Sequence, residues 1–214
     1  MSDDRRAADG GQHALRACCL KSTPLNQSMA HRLYQVLLEN PRIPIVIASG
    51  PAGTGKTMMA CHAASKHARH VIMTRPAVSV DEQHGYLPGT IDEKMEPWVR
   101  PMKDAMSVKT KFEVCPLAYM RGRTFDNAWI IADEMQNSTP NQMRMVMTRL
   151  GKDSKLIITG DTGQYDRGFE NNGLSDLLKR LRDYPVNGLE HVQFGEDDIK
   201  RHEIIKEILR MYAY

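Results

Sequence analysis

Cysteine is scarce in this chain: there are four thiols, Cys18, Cys19, Cys61 and Cys115, and no two form a C-x-x-C pair. That spacing builds neither a zinc site nor a disulfide framework, and it fits a reducing, cytoplasmic setting. The eight histidines show no metal-ligand spacing. Charge of one sign is also missing. Twenty-nine basic and 26 acidic residues leave a net +3, which neither demands nor excludes a nucleic-acid partner, so a basic patch would have to come from local clustering. No apolar run approaches the ~20 residues that cross a bilayer, and no membrane partner is expected. The stretch Met1–Arg6 lacks the apolar segment of a secretory signal, and Asp3, Asp4 and Asp9 argue against a transit peptide. No internal repeat is visible. Aromatics make up 6% of the chain. Trp98 and Trp129 read as packed side chains rather than base-stacking platforms, and the 14 methionines as core filler.

The 214 residues are enough for one domain with a real core. Residues 1–22 mix charge, Gly and Ala and read as a flexible tail; 23–214 read as a single domain. Gln27 to Glu39 has helical periodicity, with Met29, Leu33, Val36 and Leu37 on its apolar face, and ends before Pro41 and Pro44. The run Ile45–Ala48 is continuously apolar, as in a parallel strand buried on both faces. After a Gly-rich turn a helix is expected from about Lys56 to Lys66. Further strands are expected at Val71–Thr74, Phe112–Cys115, Trp129–Asp133, Lys155–Gly160 and Val192–Phe194. Pro88-Gly89 marks a turn. A helix over Asp92–Ala105 should be interrupted near Pro97 or Pro101. Thr139-Pro140-x-Gln142 has the form of a capping box with Pro at the first helical position. It precedes the i, i+3, i+4, i+7 series Met143, Val146, Met147, Leu150. More helices are expected from Leu174 to Arg182 and from Asp197 onward. Strands alternating with helices predict an α/β fold with a mostly parallel sheet flanked by helices.

Three strand ends carry chemistry. Gly50-Pro51-Ala52-Gly53-Thr54-Gly55-Lys56-Thr57 fits the P-loop pattern G-x-x-x-x-G-K-[ST] without departure. Its glycines let backbone N–H groups converge on a β-phosphate, and the helix N-terminus that follows favours the anion. Lys56 can reach the β- and γ-phosphates, and Thr57 offers a hydroxyl to Mg²⁺. Next, Trp129-Ile-Ile-Ala-Asp133-Glu134 ends an apolar strand in two acids. Asp133 is placed to hold Mg²⁺ through water, and Glu134 to orient and deprotonate an attacking water. Third, Ile157-Ile-Thr-Gly160-Asp161-x-x-Gln164 again ends a strand in polar residues, where open α/β sheets bind ligands. Gln164 is placed for the γ-phosphate or the water. ATP and Mg²⁺ are the cofactors so implied, and Glu134, Lys56 and Gln164 the catalytic candidates.

The order GPAGTGKT, TRPA (Thr74–Ala77), YLPG (Tyr86–Gly89), EK-x-x-PW-x-RPM (Glu93–Met102), PLAYMRGRTF (Pro116–Phe125), IIADEMQN (Ile130–Asn137), TP-x-QM (Thr139–Met143), TRLG (Thr148–Gly151) and GD-x-x-Q-x-D (Gly160–Asp166) resembles the PhoH-like family of P-loop ATPases. The likeness runs from about Thr23 to the C-terminus. It implies a RecA-like P-loop NTPase fold related to the core of superfamily 1 helicases, in which the strand Lys155–Gly160 lies between the P-loop strand and Trp129–Asp133. It also implies that Gln27 reads adenine, and it matches Asp198-Ile-Lys-Arg201-His202 to a family D-x-x-R-H segment, making Arg201 a candidate at the nucleotide. Many relatives have Ala where this chain has Met135, an apolar exchange that keeps both acids. The loop Arg167–Asn172 is unlike the family's. Some relatives carry an appended PIN nuclease domain, for which this sequence has no room, so nuclease activity is not carried over.

The activity so expected is ATP hydrolysis coupled to a nucleic acid, RNA or another single strand. The alternatives are a small-molecule kinase and a regulatory module without turnover; Glu134 beside Asp133 speaks against the kinase. Arg75, after a strand, could touch a nucleic-acid phosphate or simply be solvated. Arg121 and Arg123 flank Gly122 and could contact phosphate or nucleic acid. About 50 residues follow Gln164, too few for a second RecA-like core. The expected remedy is a head-to-tail homo-oligomeric ring, a hexamer by resemblance, with Arg201, Arg121 or Arg123 completing a neighbour's site.

Overall fold

The computed structural model describes residues 27–76, 99–107, 109–163 and 172–200, together with Ile204, Glu207, Ile208 and Met211. The expected tail, the Pro88-Gly89 turn, Trp98, Gln164, Arg201 and most of the loop from Arg167 lie outside these residues.

The helices are α1 (Met29–Glu39), α2 (Lys56–His67), α3 (Pro140–Met147) and α4 (Gly173–Asp183), and the strands are β1 (Ile45–Ser49), β2 (His70–Thr74), β3 (Lys111–Val114), β4 (Trp129–Ala132), β5 (Lys155–Gly160) and β6 (Leu189–Gln193). Local chemistry sets the helix starts. The Ser28 side chain accepts from the His31 N–H at the head of α1. Thr139 and Gln142 form the expected capping box, with Pro140 opening α3. Asn172 accepts from the Ser175 N–H to cap α4, whose first turn holds Asp176 and whose last turn holds Arg180 and Arg182, each sign suited to its end of the dipole. Residues 99–104 are helical, as expected for the later part of that helix, and run unbroken through Pro101; Pro97 lies outside the described residues.

The six strands form one sheet in the order β3-β2-β4-β5-β1-β6, and every pairing is parallel. This is the RecA-like arrangement: β5 lies between β1 and β4, with Ile157 opposite both Val46 and Ile131. Side chains alternate across the sheet. Ile47, Ile72, Ile130, Leu156 and Ile158 face a layer built with Met143, Val146, Leu174 and Leu177. Val46, Val71, Met73, Ile131 and Ile157 face Tyr34, Leu38, Ala60, Cys61 and Ala64 on the other side. Both faces are covered, hence the continuous apolar strands.

Three expectations need correction. Of the apolar face assigned to α1, Leu37 alone packs against the core, half-buried. Met29, Leu33 and Val36 are 81%, 46% and 61% exposed, whereas His31, Tyr34 and Leu38 are buried. Hydrophobic spacing misreads this helix because its buried stripe carries a histidine and a tyrosine that bond the P-loop. The last strand begins at Leu189, not Val192: β6 is an edge strand, and its Glu190, His191 and Gln193 are exposed, so no continuous apolar run marks it. The helix expected from Asp197 starts later: Glu196–Asp198 is a short 3₁₀ turn and Ile199 is extended, while the described residues beyond, Ile204, Glu207, Ile208 and Met211, are helical. Asp198 accepts from the Gly195 N–H at 2.7 Å, which closes the turn locally. Trp129 is packed as expected, stacked on His67 with ring centres 5.9 Å apart.

Candidate functional site

Because the strands are parallel, the carboxyl ends of β1, β4 and β5 sit side by side, and the segments that leave them meet at one edge of the sheet. Residues 50–57 wrap from β1 into α2. Gly53 and Gly55 take φ of 82° and 84°, a conformation that glycine adopts without strain. Lys56 folds into the loop, where its Nζ donates to the carbonyls of Gly50 and Pro51, both at 2.7 Å, and to Thr54 Oγ1 at 3.2 Å. Burial pushes the Lys56 pKa down, while Asp161, Glu134 and Asp133 pull it back.

The loop is braced from behind. His31 Nε2 lies 2.9 Å from the Thr54 carbonyl oxygen. A carbonyl only accepts, so Nε2 carries a proton, and Nδ1 lies 2.7 Å from the Ser28 hydroxyl and 3.7 Å from Asp198 Oδ1. Tyr34 donates its hydroxyl to the Lys56 carbonyl at 3.4 Å, and the Lys200 N–H donates to the Gly53 carbonyl at 3.1 Å. Phe194 packs edge-on against His31 and Tyr34.

The two acids stand opposite. Asp133 is buried, and its Oδ1 accepts hydroxyls from Thr57 at 2.7 Å and Thr159 at 2.5 Å. This joins the tips of α2, β4 and β5 at one carboxylate oxygen. Glu134 sits in the left-handed region, φ 53° and ψ 39°, uncommon for a residue other than glycine and a feature of functional sites. Its Oε2 accepts from Gln136 Nε2 at 2.5 Å, and its Oε1 lies 3.9 Å from the Arg75 guanidinium. A cavity of about 260 Å³ opens among Gly53, Lys56, Thr57, Asp133, Glu134 and Asp161.

The structure therefore brings Gly50–Thr57, Asp133 and Glu134 together, as the sequence led one to expect. Gln27 is half-buried and directly precedes Ser28, the cap of the helix that braces the P-loop. Arg75 takes Glu134 as an ion-pair partner. Arg123 is engaged within its own chain: it bonds Glu113 at 2.7 Å and Cys115 Sγ at 3.2 Å and covers the Phe125 ring. Arg121 is exposed and lines a groove of about 410 Å³ with Asn141, Arg144, Met145 and Thr148. His31, Tyr34, Thr159 and Gln136 escaped the sequence reading. Thr159 and Gln136 stand inside quoted motifs and were within reach; His31 and Tyr34 give no local signal, because only the packing of α1 brings them to the loop.

Thr57 and Asp133 present hard oxygen atoms at hydrogen-bond distance from each other beside the lysine, a donor set that suits Mg²⁺. No described helix is long and apolar enough to cross a membrane.

Comparison with known proteins agrees with this geometry. The family model for PhoH-like proteins matches residues 23–213. A PhoH-like protein of Bacillus subtilis (strain 168) is 39% identical over 205 residues, covering 87% of this chain and 63% of the relative. A PhoH-like protein of Mycobacterium tuberculosis (strain H37Rv) is 42% identical over 188 residues, covering 79% and 53%, and protein PhoH of Escherichia coli (strain K12) 37% over 209, covering 88% and 57%. The chain thus spans about half to three-fifths of the length of these relatives. Among solved structures, the large terminase of a thermophilic bacteriophage, determined in complex with ADP, aligns over 83% of this chain and 49% of its own with a TM-score of 0.50. At 13% identity that likeness speaks for the fold alone. With an unbroken P-loop at the end of β1, paired acids at the end of β4, β5 between them, and a family match over residues 23–213, this chain belongs to the PhoH-like family of P-loop proteins.

Proposed function

We propose that the chain binds Mg-ATP at Gly50–Thr57 and hydrolyses it, and that turnover is coupled to RNA or another single-stranded nucleic acid. The observation that carries the reading is the convergence of Thr57, Asp133 and Glu134 beside Lys56, with Thr57 and Asp133 at 2.7 Å.

In this reading Thr57 and Asp133 hold the metal ion, which neutralises charge on the phosphates when bound. Lys56 exchanges its carbonyl partners for phosphate oxygens. Glu134 takes a proton from the water that attacks the γ-phosphorus; the bond to the β–γ bridging oxygen breaks, and ADP and phosphate leave. A kinase would instead keep water out, and a carboxylate directly after the metal-binding acid favours hydrolysis. Gln164 and Arg201 keep their proposed places at the γ-phosphate. Among the described residues lining the cavity Lys56 is the cationic one, so a further arginine, from Arg201 or across the interface of a head-to-tail homo-oligomeric ring, would complete the site; such a group can raise phosphoryl transfer by about 10³–10⁵. With Arg123 engaged locally, Arg121 is the better placed of the pair. Arg121 and Arg144 lining one groove is the kind of local basic clustering a nucleic-acid backbone requires.

Phosphate release with and without single-stranded RNA and DNA tests the reading. Lys56→Ala should lose nucleotide binding. Glu134→Gln should keep binding but lose about two decades of turnover or more, and Asp133→Asn should shift the Mg²⁺ requirement. Wild-type turnover in Lys56→Ala would end the assignment.

A further inference from the structure

We infer that Gln136 is the positioning residue for Glu134, and that it ties the catalytic carboxylate to the tip of β5. This rests on the reading of Glu134 as the group that activates water.

Glu134 leaves β4 in a left-handed conformation, so its side chain does not follow the strand. A buried 3₁₀ turn, Met135–Asn137, comes next, closed by the Asn137 N–H on the Glu134 carbonyl at 3.0 Å and the Ser138 hydroxyl on the Met135 carbonyl at 2.6 Å. The turn folds Gln136 back over the residue two before it. Its Nε2 donates to Glu134 Oε2 at 2.5 Å, and its Oε1 accepts the Asp161 N–H at 3.1 Å. The orientation of this amide is forced. A carboxylate only accepts and a backbone N–H only donates, so exchanging Oε1 and Nε2 would set acceptor against acceptor and donor against donor. Gln136 is 4% exposed, so either bond, once broken, leaves a buried polar group without its partner.

Room for the amide comes from Gly160. A Cβ there would lie 2.7 Å from Gln136 Oε1 and 3.2 Å from the Gln136 backbone nitrogen. The Glu134 carboxylate, flanked by Gln136 on one oxygen and Arg75 on the other, cannot rotate freely about its final bond. The partner on the far side of the amide is Asp161, the first residue of the segment that leads to Gln164. Any shift of the β5 tip on nucleotide binding is thereby transmitted to Glu134 through one side chain. A base held to within a fraction of an ångström matters because misplacement by about 1 Å can cost on the order of 10²-fold in rate.

The test uses the full chain and three variants: Gln136→Ala, Gln136→Glu, which keeps the shape but replaces the donor with a second carboxylate, and Glu134→Gln. ATP turnover is measured beside equilibrium binding of a non-hydrolysable ATP analogue and thermal unfolding. Both Gln136 variants should lower kcat by about 10- to 100-fold with KM and analogue affinity unchanged. Joined to Glu134→Gln, Gln136→Ala should cost nothing further, because a group acting only through Glu134 has nothing left to position. If Gln136→Ala fails to fold, the near-isosteric Gln136→Met takes its place. Unchanged kcat in a folded Gln136 variant, a multiplicative loss in the double variant, or loss of analogue binding in parallel with kcat would overturn the inference. An unaltered chain that binds the analogue but releases no phosphate would instead overturn the hydrolysis reading, and this inference with it.

Discussion

Gly50 and Gly55 are both fixed letters of the P-loop pattern, yet the structure predicts that replacing them has different consequences. At Gly50 φ is +133°, and a Cβ would run into the Phe194 carbonyl oxygen and lie 2.9 Å from the Phe194 Cβ. Phe194 cannot retreat cheaply. Its N–H donates to the Ser49 carbonyl at 2.7 Å, and its ring packs edge-on against His31 and Tyr34 at 5.1 and 5.6 Å. Backbone strain of about 1–3 kcal/mol adds to overpacking of about 1–3 kcal/mol, so Gly50→Ala should cost about 2–6 kcal/mol. At Gly55 φ is +84°, and the added carbon meets nothing within 4 Å. Only the left-handed conformation is penalised, by about 1–2 kcal/mol. Against a total stability of about 5–15 kcal/mol, the first change is severe and the second mild. Urea unfolding of the two variants without nucleotide, read as midpoints at unchanged slope, measures the difference. Equal midpoints, or a Gly50→Ala midpoint at the level of the unaltered chain, would refute the argument that the first glycine is demanded by Phe194.

Three further outcomes can be checked. Burial pushes the Lys155 ammonium down to about 8 from its ordinary 10.5; between those values the unfolded chain holds a proton the folded chain lacks, so the contribution of Lys155 to stability should rise from pH 8 to pH 10.5 and be smallest below pH 8. The unaltered chain should therefore gain stability relative to Lys155→Met over that range, and parallel pH profiles in denaturant titrations would refute it. Burial, with Asp133 adding to it, pushes the Cys61 thiol up to about 12, so at pH 8 alkylation mapped by mass spectrometry should reach Cys61 only on unfolding; rapid labelling of the native chain would contradict this. Arg123→Ala breaks a partly exposed bridge to Glu113 and should cost about 0.5–1 kcal/mol while leaving ATP turnover near that of the unaltered chain, whereas a large loss of turnover would place Arg123 at a site after all.

The sequence alone determined whatever depends on near neighbours. The P-loop, the capping box at Thr139–Gln142 and the apolar strands were legible because each is written in a few contiguous residues whose geometry follows from backbone sterics and local hydrogen bonds. Even Asp133 and Glu134 could be picked out, since the end of a parallel strand is where polar residues face a ligand. What tertiary structure decided is which distant residues serve those motifs. The buried stripe of α1 is His31, Tyr34 and Leu38 rather than Met29, Leu33 and Val36, since the helix packs where two polar groups can reach the P-loop backbone, and no periodicity of hydrophobicity records that reward. Thr159 joins Thr57 on Asp133 only because β5 lies between β1 and β4. Gln136 spans from Glu134 to Asp161 only because Gly160 leaves it room. A hydrogen bond between residues far apart in the chain has no footprint in either one's own neighbourhood, and it becomes visible once the sheet order has set them side by side.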